Sequence, residues 1–473
     1  MRRAAAGRGL LGGRAKRGLA AAFQAETARE VAALLGPDIA APLDFEALEV
    51  ALRRRALQLA ARLLAQHLNA DTSDDAGPWL PCARCGEPAR YAGRHAKTFT
   101  TALGPLPLTR ADYHCAACAQ GFCPRDRALG VAGASLSPAV TRMVGTAAAL
   151  VSFAEGSALL GDLAGLPVPA KQVERTAEAL GREIAADERE HVVPAPEGEI
   201  APTLYLGLDG TGVPMRQGEL DGRPGKQGDG SAKTREVKLC TVWSAEERDA
   251  DGVPVRDEGS VSYSAAIESA ARRDTDATCS AFAQRVEREA RRRGVDRARR
   301  RAVLGDGAAW IWNIAGEYFP DATQIVDRFH AKAHLSGVAK VLYGAPSDLG
   351  DAWAQARHAE LDAGHLHKIV AALADHYRTR ADASKREEIR KCIGYLWGNR
   401  RRMRYPAFRA QGLCTSTAVV EAGCKVVIGT RLKRAGMHWT VQGANAIIAL
   451  RCCKLSGRFE DFWERRAQSR AAS

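Results

Sequence analysis

The sequence predicts an α/β protein in which a mixed-sheet domain follows a small metal-binding module and a helical region. Three observations support this fold class. Apolar residues recur at helical spacing from about residue 26 to residue 68. Two Cys-x-x-Cys pairs then bracket an alternating, threonine-rich segment that is typical of a β-hairpin. From Thr203 onward, three apolar strands precede a helix and further strands that alternate with helices, which predicts a mixed sheet.

Composition and charge limit the classes of partner. The chain has 473 residues, of which 46% are hydrophobic, so it can bury more than one core. Its net charge of +13 comes from arginine-rich segments along the whole chain and favours a polyanionic partner, with nucleic acid as the leading candidate. No apolar run approaches the ~20 residues that cross a bilayer, so we expect no membrane partner.

The amino terminus and the cysteines indicate the compartment. The first 18 residues are basic and small but have no sustained apolar core, so we interpret them as a basic arm and not as a secretion signal. The 12 cysteines lack disulfide-like spacing, which favours reduced thiols and metal ligation. Both features predict a cytoplasmic protein.

Changes in composition divide the chain into six predicted segments. They are a basic arm with N-terminal helices (1–70), a zinc-ribbon-like module (71–130), a helical, helix-turn-helix-like region (131–200), the first part of the α/β core (201–346), an all-helical insertion (347–405) and the second part of the core with basic C-terminal helices (406–473).

Two cysteine pairs predict a structural zinc ion. Cys82 and Cys85 form one Cys-x-x-Cys turn, and Cys115 and Cys118 form the other. Each turn presents two thiolates to one ion, which together make the tetrahedral set that Zn²⁺ prefers. The gap between the pairs is longer than in most zinc ribbons, so four unrelated buried thiols are the alternative. Weaker candidates nearby are His95, His114 and Cys123.

A helix break in the third segment resembles a helix-turn-helix. The pattern is a short helix, a turn at Gly165-Leu166-Pro167 and a second helix that carries Lys171 and Arg175. We predict that these two side chains contact DNA. Plain packing of a helical linker is the alternative, because many helical linkers contain a similar turn.

Three acidic residues are candidates for a metal site in the α/β core. Asp209 ends the first predicted strand and Asp306 ends the fourth, and a glycine follows each. Carboxylates at the carboxyl ends of neighbouring strands project into one crevice, although Asp-Gly is also a common turn dipeptide. Glu421 lies on a helix after the insertion, one turn before Lys425.

Six segments of the core, taken in order, resemble one family. The segments are LDGTGVP, LGDGAAWIW, IVDRFHAKAHL, VVEAGCK, RLKRAGMHW and ALRCCKLSGRFEDFW. They resemble the DDE transposases of bacterial insertion sequences, specifically the ISKra-type group, whose catalytic domain is related to that of Mutator-like transposases. The resemblance covers about residues 203–463. One loop departs from the family pattern: Cys414-Thr415-Ser416-Thr417 replaces a glycine/serine stretch before the glutamate.

The resemblance implies a ribonuclease H-like fold for the core. It also implies that Asp209, Asp306 and Glu421 are the catalytic triad, with Asp327 and His330 as a supporting acid and imidazole. The implied activity is that of a DNA transposase, which binds the terminal inverted repeats of an insertion sequence and catalyses metal-dependent strand cleavage and strand transfer. The implied assembly is a homo-oligomer on DNA in the bacterial cytoplasm, associated with the nucleoid.

Phosphodiester chemistry agrees with the acidic set. Two divalent ions about 4 Å apart activate the nucleophile and stabilise both the transition state and the leaving oxygen. Mg²⁺ prefers carboxylate oxygens to thiols or imidazoles, so three acids suit two Mg²⁺ (or Mn²⁺) ions.

Basic residues near these motifs are candidate phosphate contacts, although a run of charge is more often a solvated helix face. Trp397 adjoins three of them and is predicted to stack on an unpaired base, with a buried core position as the alternative. The candidate phosphate contacts are Arg400, Arg401, Arg402, Lys425, Arg431, Lys433 and Arg434.

Two other functions fit parts of the sequence. The segment VLGDGAAW could be the glycine-rich cofactor loop of a methyltransferase-like Rossmann enzyme, but that loop follows the first strand of such a fold, and here three strands precede it. A catalytically inactive DNA-binding protein derived from a transposase is the second alternative.

Overall fold

The computed structural model describes residues 13–34, 44–192, 198, 200–225, 227–228, 230–271, 280–379 and 382–472. The first 12 residues of the predicted basic arm lie outside the described residues. The chain divides into two compact units, Met1–Ala177 with Trp463–Ser473, and Glu178–Phe462. The finer division into six segments stays a prediction.

The first unit begins with two long helices, α1 (Gly13–Leu34) and α2 (Phe45–Ala70). The helix α1 starts within the segment that we predicted to be an arm, so residues 13–18 are helical. The side chain of Asp44 accepts a hydrogen bond from the Ala47 N–H and thereby caps α2.

An antiparallel sheet follows these helices. Its strands are β1 (Trp79–Pro81), β2 (Pro88–Thr101), β3 (Gly104–Cys115) and β4 (Gln120–Phe122), in that spatial order. The long β2–β3 hairpin confirms the strand prediction for this module. Phe99, Leu106 and Leu108 on the hairpin are buried in one cluster with Ala65 of α2, so the hairpin packs against that helix.

Four helices complete the main part of the first unit and run to the start of the second. The helix α5 begins with a capping box between Ser152 and Glu155 and ends at Gly165, whose φ of 67° is a left-handed conformation that favours glycine. The predicted helix–turn–helix outline is therefore present, and DNA contact by it stays a prediction. These helices are α3 (Pro124–Ala128), α4 (Pro138–Leu150), α5 (Phe153–Ala164) and α6 (Ala170–Glu190).

The second unit contains a five-stranded mixed sheet. Its spatial order is β11-β10-β5-β6-β9; β10 is parallel to both β5 and β11, whereas β5–β6 and β6–β9 are antiparallel. A small hairpin, β7–β8, lies between the second and third of these strands in sequence. The strands are β5 (Thr203–Pro214), β6 (Thr234–Ser244), β7 (Glu247–Arg248), β8 (Pro254–Val255), β9 (Ser262–Ala266), β10 (Arg300–Gly305) and β11 (Thr323–Val326).

Helices connect and cover these strands, and the described part of the predicted insertion consists mainly of helices joined by short turns. The helices are α7 (Ala281–Arg292), α8 (Ala309–Tyr318), α9 (Arg328–Tyr343), α10 (Asp348–Asp362), α11 (Leu366–Thr379), α12 (Ala383–Gly398), α13 (Tyr405–Ala410), α14 (Ala418–Gly423), a π-helical segment (Cys424–Gly429), α15 (Thr430–Leu432), α16 (Val441–Leu455) and α17 (Phe459–Ala472). No helix of the described residues is long and apolar enough to cross a membrane.

The end of β5 differs from the prediction at Asp209, one of the candidate site residues. Asp209 does not end β5, because β5 continues to pair with β6 as far as Pro214. The parallel partner β10 ends at Gly305, however, and its last pair with β5 joins Leu304 to Gly207. Asp209 therefore lies just beyond the point where the parallel pairing stops.

Candidate active site and metal centre

Four cysteine sulfurs form a candidate metal centre in the first unit. Within the described residues, they are the single group of three or more metal-ligating side chains whose ligand atoms all lie within 4.8 Å of one another. The Cys82 and Cys118 sulfurs are 3.6 Å apart, and so are those of Cys85 and Cys115. In a tetrahedron with Zn–S bonds of about 2.3 Å, the sulfurs are about 3.8 Å apart. The cluster therefore fits a structural metal such as zinc.

Tight turns present these thiols. The Gly86 N–H donates to the Cys82 carbonyl oxygen at 2.9 Å, and the Arg84 N–H donates to the Cys82 sulfur at 3.4 Å. Backbone N–H donation, first from Arg84 and then from Cys85, lowers the pKa of Cys82 to about 6, which favours the metal-binding thiolate. The weaker candidates His95, His114 and Cys123 are outside the cluster.

Asp209, Asp306 and Asp327 lie side by side across three neighbouring strands. Leu304 of β10 pairs with Gly207 of β5, and the same register continued by two residues places Asp306 beside Asp209. Gly305 pairs with Val326, so one further residue brings Asp306 beside Asp327. The parallel part of the sheet therefore collects three acids at its carboxyl edge.

Asp209 is an unfavourably placed carboxylate. Burial raises its pKa above the ordinary value of 3.8, and the charge of Asp306 raises it further. The Gly210 N–H and the Cys424 thiol donate to its two oxygens at 2.7 and 3.4 Å, and these bonds oppose the shift. Two close, partly buried carboxylates repel each other unless a cation lies between them.

The helix that carries Glu421 packs directly on the sheet. A Cβ atom at Gly207 would lie 2.8 Å from the Cβ atom of Val420, and one at Gly423 would lie 3.0 Å from the Leu239 side chain. Only glycine permits this approach. Side chains two residues apart in a strand share a face, so Asp209 lies on the same face of β5 as Gly207 and points towards the helix of Glu421. The contact between the Cys424 thiol and Asp209 Oδ2 confirms this direction.

Glu421 itself is exposed and pairs with Lys425 at 2.8 Å, which confirms their predicted proximity. The helix changes from α to π at Cys424, a feature that is frequent at functional sites. The carboxylate oxygens of Asp209, Asp306 and Glu421 do not all lie within 4.8 Å of one another, although the strand register places Asp306 beside Asp209.

Asp327 is buried and joins two loops. Its Oδ1 accepts from the His330 N–H at 2.5 Å and thereby caps α9. Its Oδ2 accepts from both the N–H and the hydroxyl of Thr417, four residues before Glu421. Asp327 therefore orients the segment that leads to Glu421. His330 is exposed, and its charge acts to lower the Asp209 pKa.

Two aromatic rings beside Asp306 were not predicted from the sequence. Tyr395 of α12 donates from its hydroxyl to the Asp306 carbonyl oxygen at 2.8 Å. Its ring stacks on His334 with centroids 4.1 Å apart. The spacing of His330 and His334, one helical turn apart, could have indicated His334, but no sequence signal places Tyr395, which is 89 residues from its partner.

The predicted DNA contacts divide into exposed and buried residues. Arg431 is fully buried, and its guanidinium contacts the Met437 sulfur and the Trp439 ring, so it cannot contact DNA and the prediction for it is wrong. Arg402 is half-buried against Gln324 and the Trp312 ring. The exposed members of the predicted set are Lys171, Arg175, Arg400, Lys425, Lys433 and Arg434. Arg401 is exposed as well.

Trp397 is a surface residue. Its side chain is 57% exposed, which rules out the core position that we considered as the alternative. The Arg400 guanidinium lies 4.7 Å from the centre of its ring and donates to the Trp397 carbonyl oxygen at 2.7 Å. An aromatic face and a cation are thus held together at the end of α12.

The fold and the site together define a class: an α/β protein with a four-cysteine cluster that fits a structural metal in one unit and a mixed sheet with acids at its parallel strand ends in the other. A family model described as "Uncharacterised protein family (UPF0236)" matches residues 87–467. Because this match spans most of the chain, the protein belongs to that family. No curated protein matches the chain.

Proposed function

We propose that this protein is a DNA transposase that binds the terminal inverted repeats of an insertion sequence and cleaves and joins DNA strands with Asp209, Asp306 and Glu421. The observation that carries the proposal is the strand register, which aligns Asp209 with Asp306 at the carboxyl edge of the parallel strands. The helix of Glu421 packs on the same face of β5.

The sheet topology supports a ribonuclease H-like core. The first three strands of this sheet along the chain, β5, β6 and β9, pair with one another in antiparallel fashion. The strands β10 and β11 then extend the sheet on the other side of β5, and both run parallel to it. In this arrangement the first strand lies centrally, and the acids of β5 and β10 meet. The antiparallel half also argues against the Rossmann alternative, whose sheet is parallel.

The donor set fits hard divalent cations. Asp209 and Asp306 offer carboxylate oxygens; burial and, to a smaller extent, the charge of Asp306 raise the Asp209 pKa, and a bound cation would oppose both effects. Two ions about 4 Å apart can be held by carboxylates that do not all lie within 4.8 Å of one another, as is the case for this set. When bound, two Mg²⁺ or Mn²⁺ ions would supply an activated nucleophile and charge stabilisation at the phosphate.

The side chains around these acids have separate tasks. Asp327 orients the loop before Glu421, while the exposed His330 stabilises the ionised form of Asp209. Lys433 donates to the Thr211 hydroxyl on β5 and thus lies near the acids, where it can hold a phosphate. Trp397 and Arg400 offer a stacking face with a neighbouring charge for a displaced base.

The remaining parts of the proposal follow from this activity. The four cysteines hold a structural zinc ion, and α6, the second helix of the helix-turn-helix-like pair, contacts the transposon end through Lys171 and Arg175. The protein acts as a homo-oligomer on double-stranded DNA in the bacterial cytoplasm at the nucleoid. A catalytically inactive DNA-binding descendant is the second candidate, and the presence of all three acids argues against it.

A strand-cleavage assay tests the proposal. The substrate is DNA that carries the ends of the encoding element with their flanks, incubated with the full chain in Mg²⁺ or in EDTA. We expect nicks at the element ends in Mg²⁺ and none in EDTA. Binding without cleavage would favour the inactive DNA-binding protein, and the absence of both would refute the proposed function.

A further inference from the structure

Tyr395 connects the helical insertion to the turn that carries Asp306. It lies near the end of α12, and its hydroxyl donates to the Asp306 carbonyl oxygen at 2.8 Å. The side chain is half-buried, so the bond is partly shielded from water. One residue of the insertion thus holds the backbone of a predicted metal ligand.

The turn after β10 is shaped around the phenol ring. Gly307 has a φ of +109°, which side chains rarely permit, and a Cβ atom there would lie 2.5 Å from Cε2 of Tyr395. The Ala308 N–H donates to Asp306 Oδ1 at 2.9 Å. The same turn therefore fixes the carbonyl group of Asp306 through Tyr395 and its carboxylate through its own backbone.

The ring has a second support on α9. It stacks on His334 with centroids 4.1 Å apart and an angle of 27° between the planes. His334 in turn contacts His330 edge-on at 5.0 Å. The ring is held by these contacts, so the hydroxyl is presented to the Asp306 carbonyl group in one orientation.

We infer that Tyr395 is a positioning residue that fixes the Asp306–Gly307 turn and thereby keeps the Asp306 carboxylate in place to bind a divalent cation. The inference rests on the proposed function, because it assigns the cation to Asp306. Packing needs only the ring, whereas positioning needs the hydroxyl. A substitution that removes only the hydroxyl oxygen therefore distinguishes the two roles.

Tyr395→Phe removes that oxygen and keeps the ring. The matched control is Tyr377→Phe, which makes the same change at a residue of α11 that is 39% exposed. Two quantities are measured on the full chain: amide hydrogen exchange of the segment 303–311, and Mn²⁺ binding by calorimetry, with Asp306→Asn as the variant that lacks the ligand. Thermal unfolding is followed for every variant.

We expect Tyr395→Phe to speed exchange in the turn about three- to tenfold and to weaken Mn²⁺ binding by a similar factor, which is the effect of one lost hydrogen bond. Tyr377→Phe should change neither quantity, and both variants should unfold near the wild-type temperature. Either unchanged exchange in the turn or unchanged Mn²⁺ binding in Tyr395→Phe would overturn the inference.

The outcomes also separate this inference from the proposed function. A protein that binds Mn²⁺ in a Tyr395-dependent manner but cuts no DNA would refute the transposase and retain the positioning role. A wild-type protein that binds no Mn²⁺ would refute the metal site. In that case Tyr395 would have no cation to serve, and the inference would fall with the site even if exchange in the turn increased.

Discussion

The thiol of Cys424 donates to the Oδ2 atom of Asp209 across 3.4 Å, and this contact ties the helix of Glu421 to the strand of the first acid. Burial raises the pKa of Cys424, and the neighbouring charge of Asp209 raises it further, so the group stays a neutral thiol donor. The contact joins residues 215 positions apart and brings the two halves of the core together at the acids.

Each acid of the proposed triad should be essential for cleavage. We expect Asp209→Asn, Asp306→Asn and Glu421→Gln each to lower the cleavage rate at least about 1,000-fold, because a metal ligand is lost. DNA binding should stay within about threefold of wild type, since the phosphate contacts are elsewhere. A variant that still cleaves at a near-normal rate would be removed from the triad.

Asp209→Asn should make the metal-free protein more stable at neutral pH. The folded-state pKa of Asp209 lies above its ordinary value of 3.8, so folding disfavours the ionised carboxylate. The contribution of Asp209 to the free energy of unfolding is therefore greatest below its pKa in the unfolded state, and it is lost as the pH rises through its raised pKa in the folded state. Asparagine does not ionise, so the variant does not lose this stability at neutral pH. Its melting temperature should therefore exceed that of wild type at pH 7 in EDTA, and the difference should vanish near pH 3. A lower melting temperature at pH 7 would contradict the account.

The cysteine cluster should bind one zinc ion per chain. We expect elemental analysis of the full chain to find about one zinc, and Cys115→Ser to lose it and to unfold at a lower temperature. Cys123→Ser is the matched control, because Cys123 lies outside the cluster and instead contacts Asp112. A folded wild-type protein without metal would contradict this prediction.

Trp397 should matter for cleavage and not for stability. Its side chain is 57% exposed, so Trp397→Ala should change the free energy of unfolding by less than about 1 kcal/mol. Loss of base stacking should slow cleavage about tenfold or more, and Trp397→Phe should restore most of the rate. A strong fall in the melting temperature would instead mean that the residue supports packing.

Two arginines three positions apart should behave in opposite ways. Arg431→Ala should destabilise the fold by about 2–4 kcal/mol, because the fully buried side chain packs on Trp439. Arg434→Ala should change stability by no more than about 0.5 kcal/mol and weaken DNA binding, since Arg434 is exposed. Urea unfolding measures the change in stability, and a salt-dependent binding assay measures the change in DNA affinity. Equal effects of the two variants in each assay would contradict the assignment of Arg431 to the core and of Arg434 to the surface.

The sequence by itself determined the features that depend on local pattern. Alternating and helical periods predicted the β2–β3 hairpin, the strands of the mixed sheet and the helical insertion. The two Cys-x-x-Cys turns predicted the metal cluster, because the spacing within each turn already fixes two neighbouring thiols. The pairing of Glu421 with Lys425 followed from the helical repeat alone.

Only the tertiary structure decided how distant segments meet. The extent of β5 beyond Asp209 depends on its partner β6, and the burial of Arg431 depends on the packing of Trp439 around it. The position of Tyr395 against Asp306 depends on how the insertion folds back on the sheet. Local spacing carries no information about such contacts, because the free energy that selects them comes from burying side chains that are far apart in the chain.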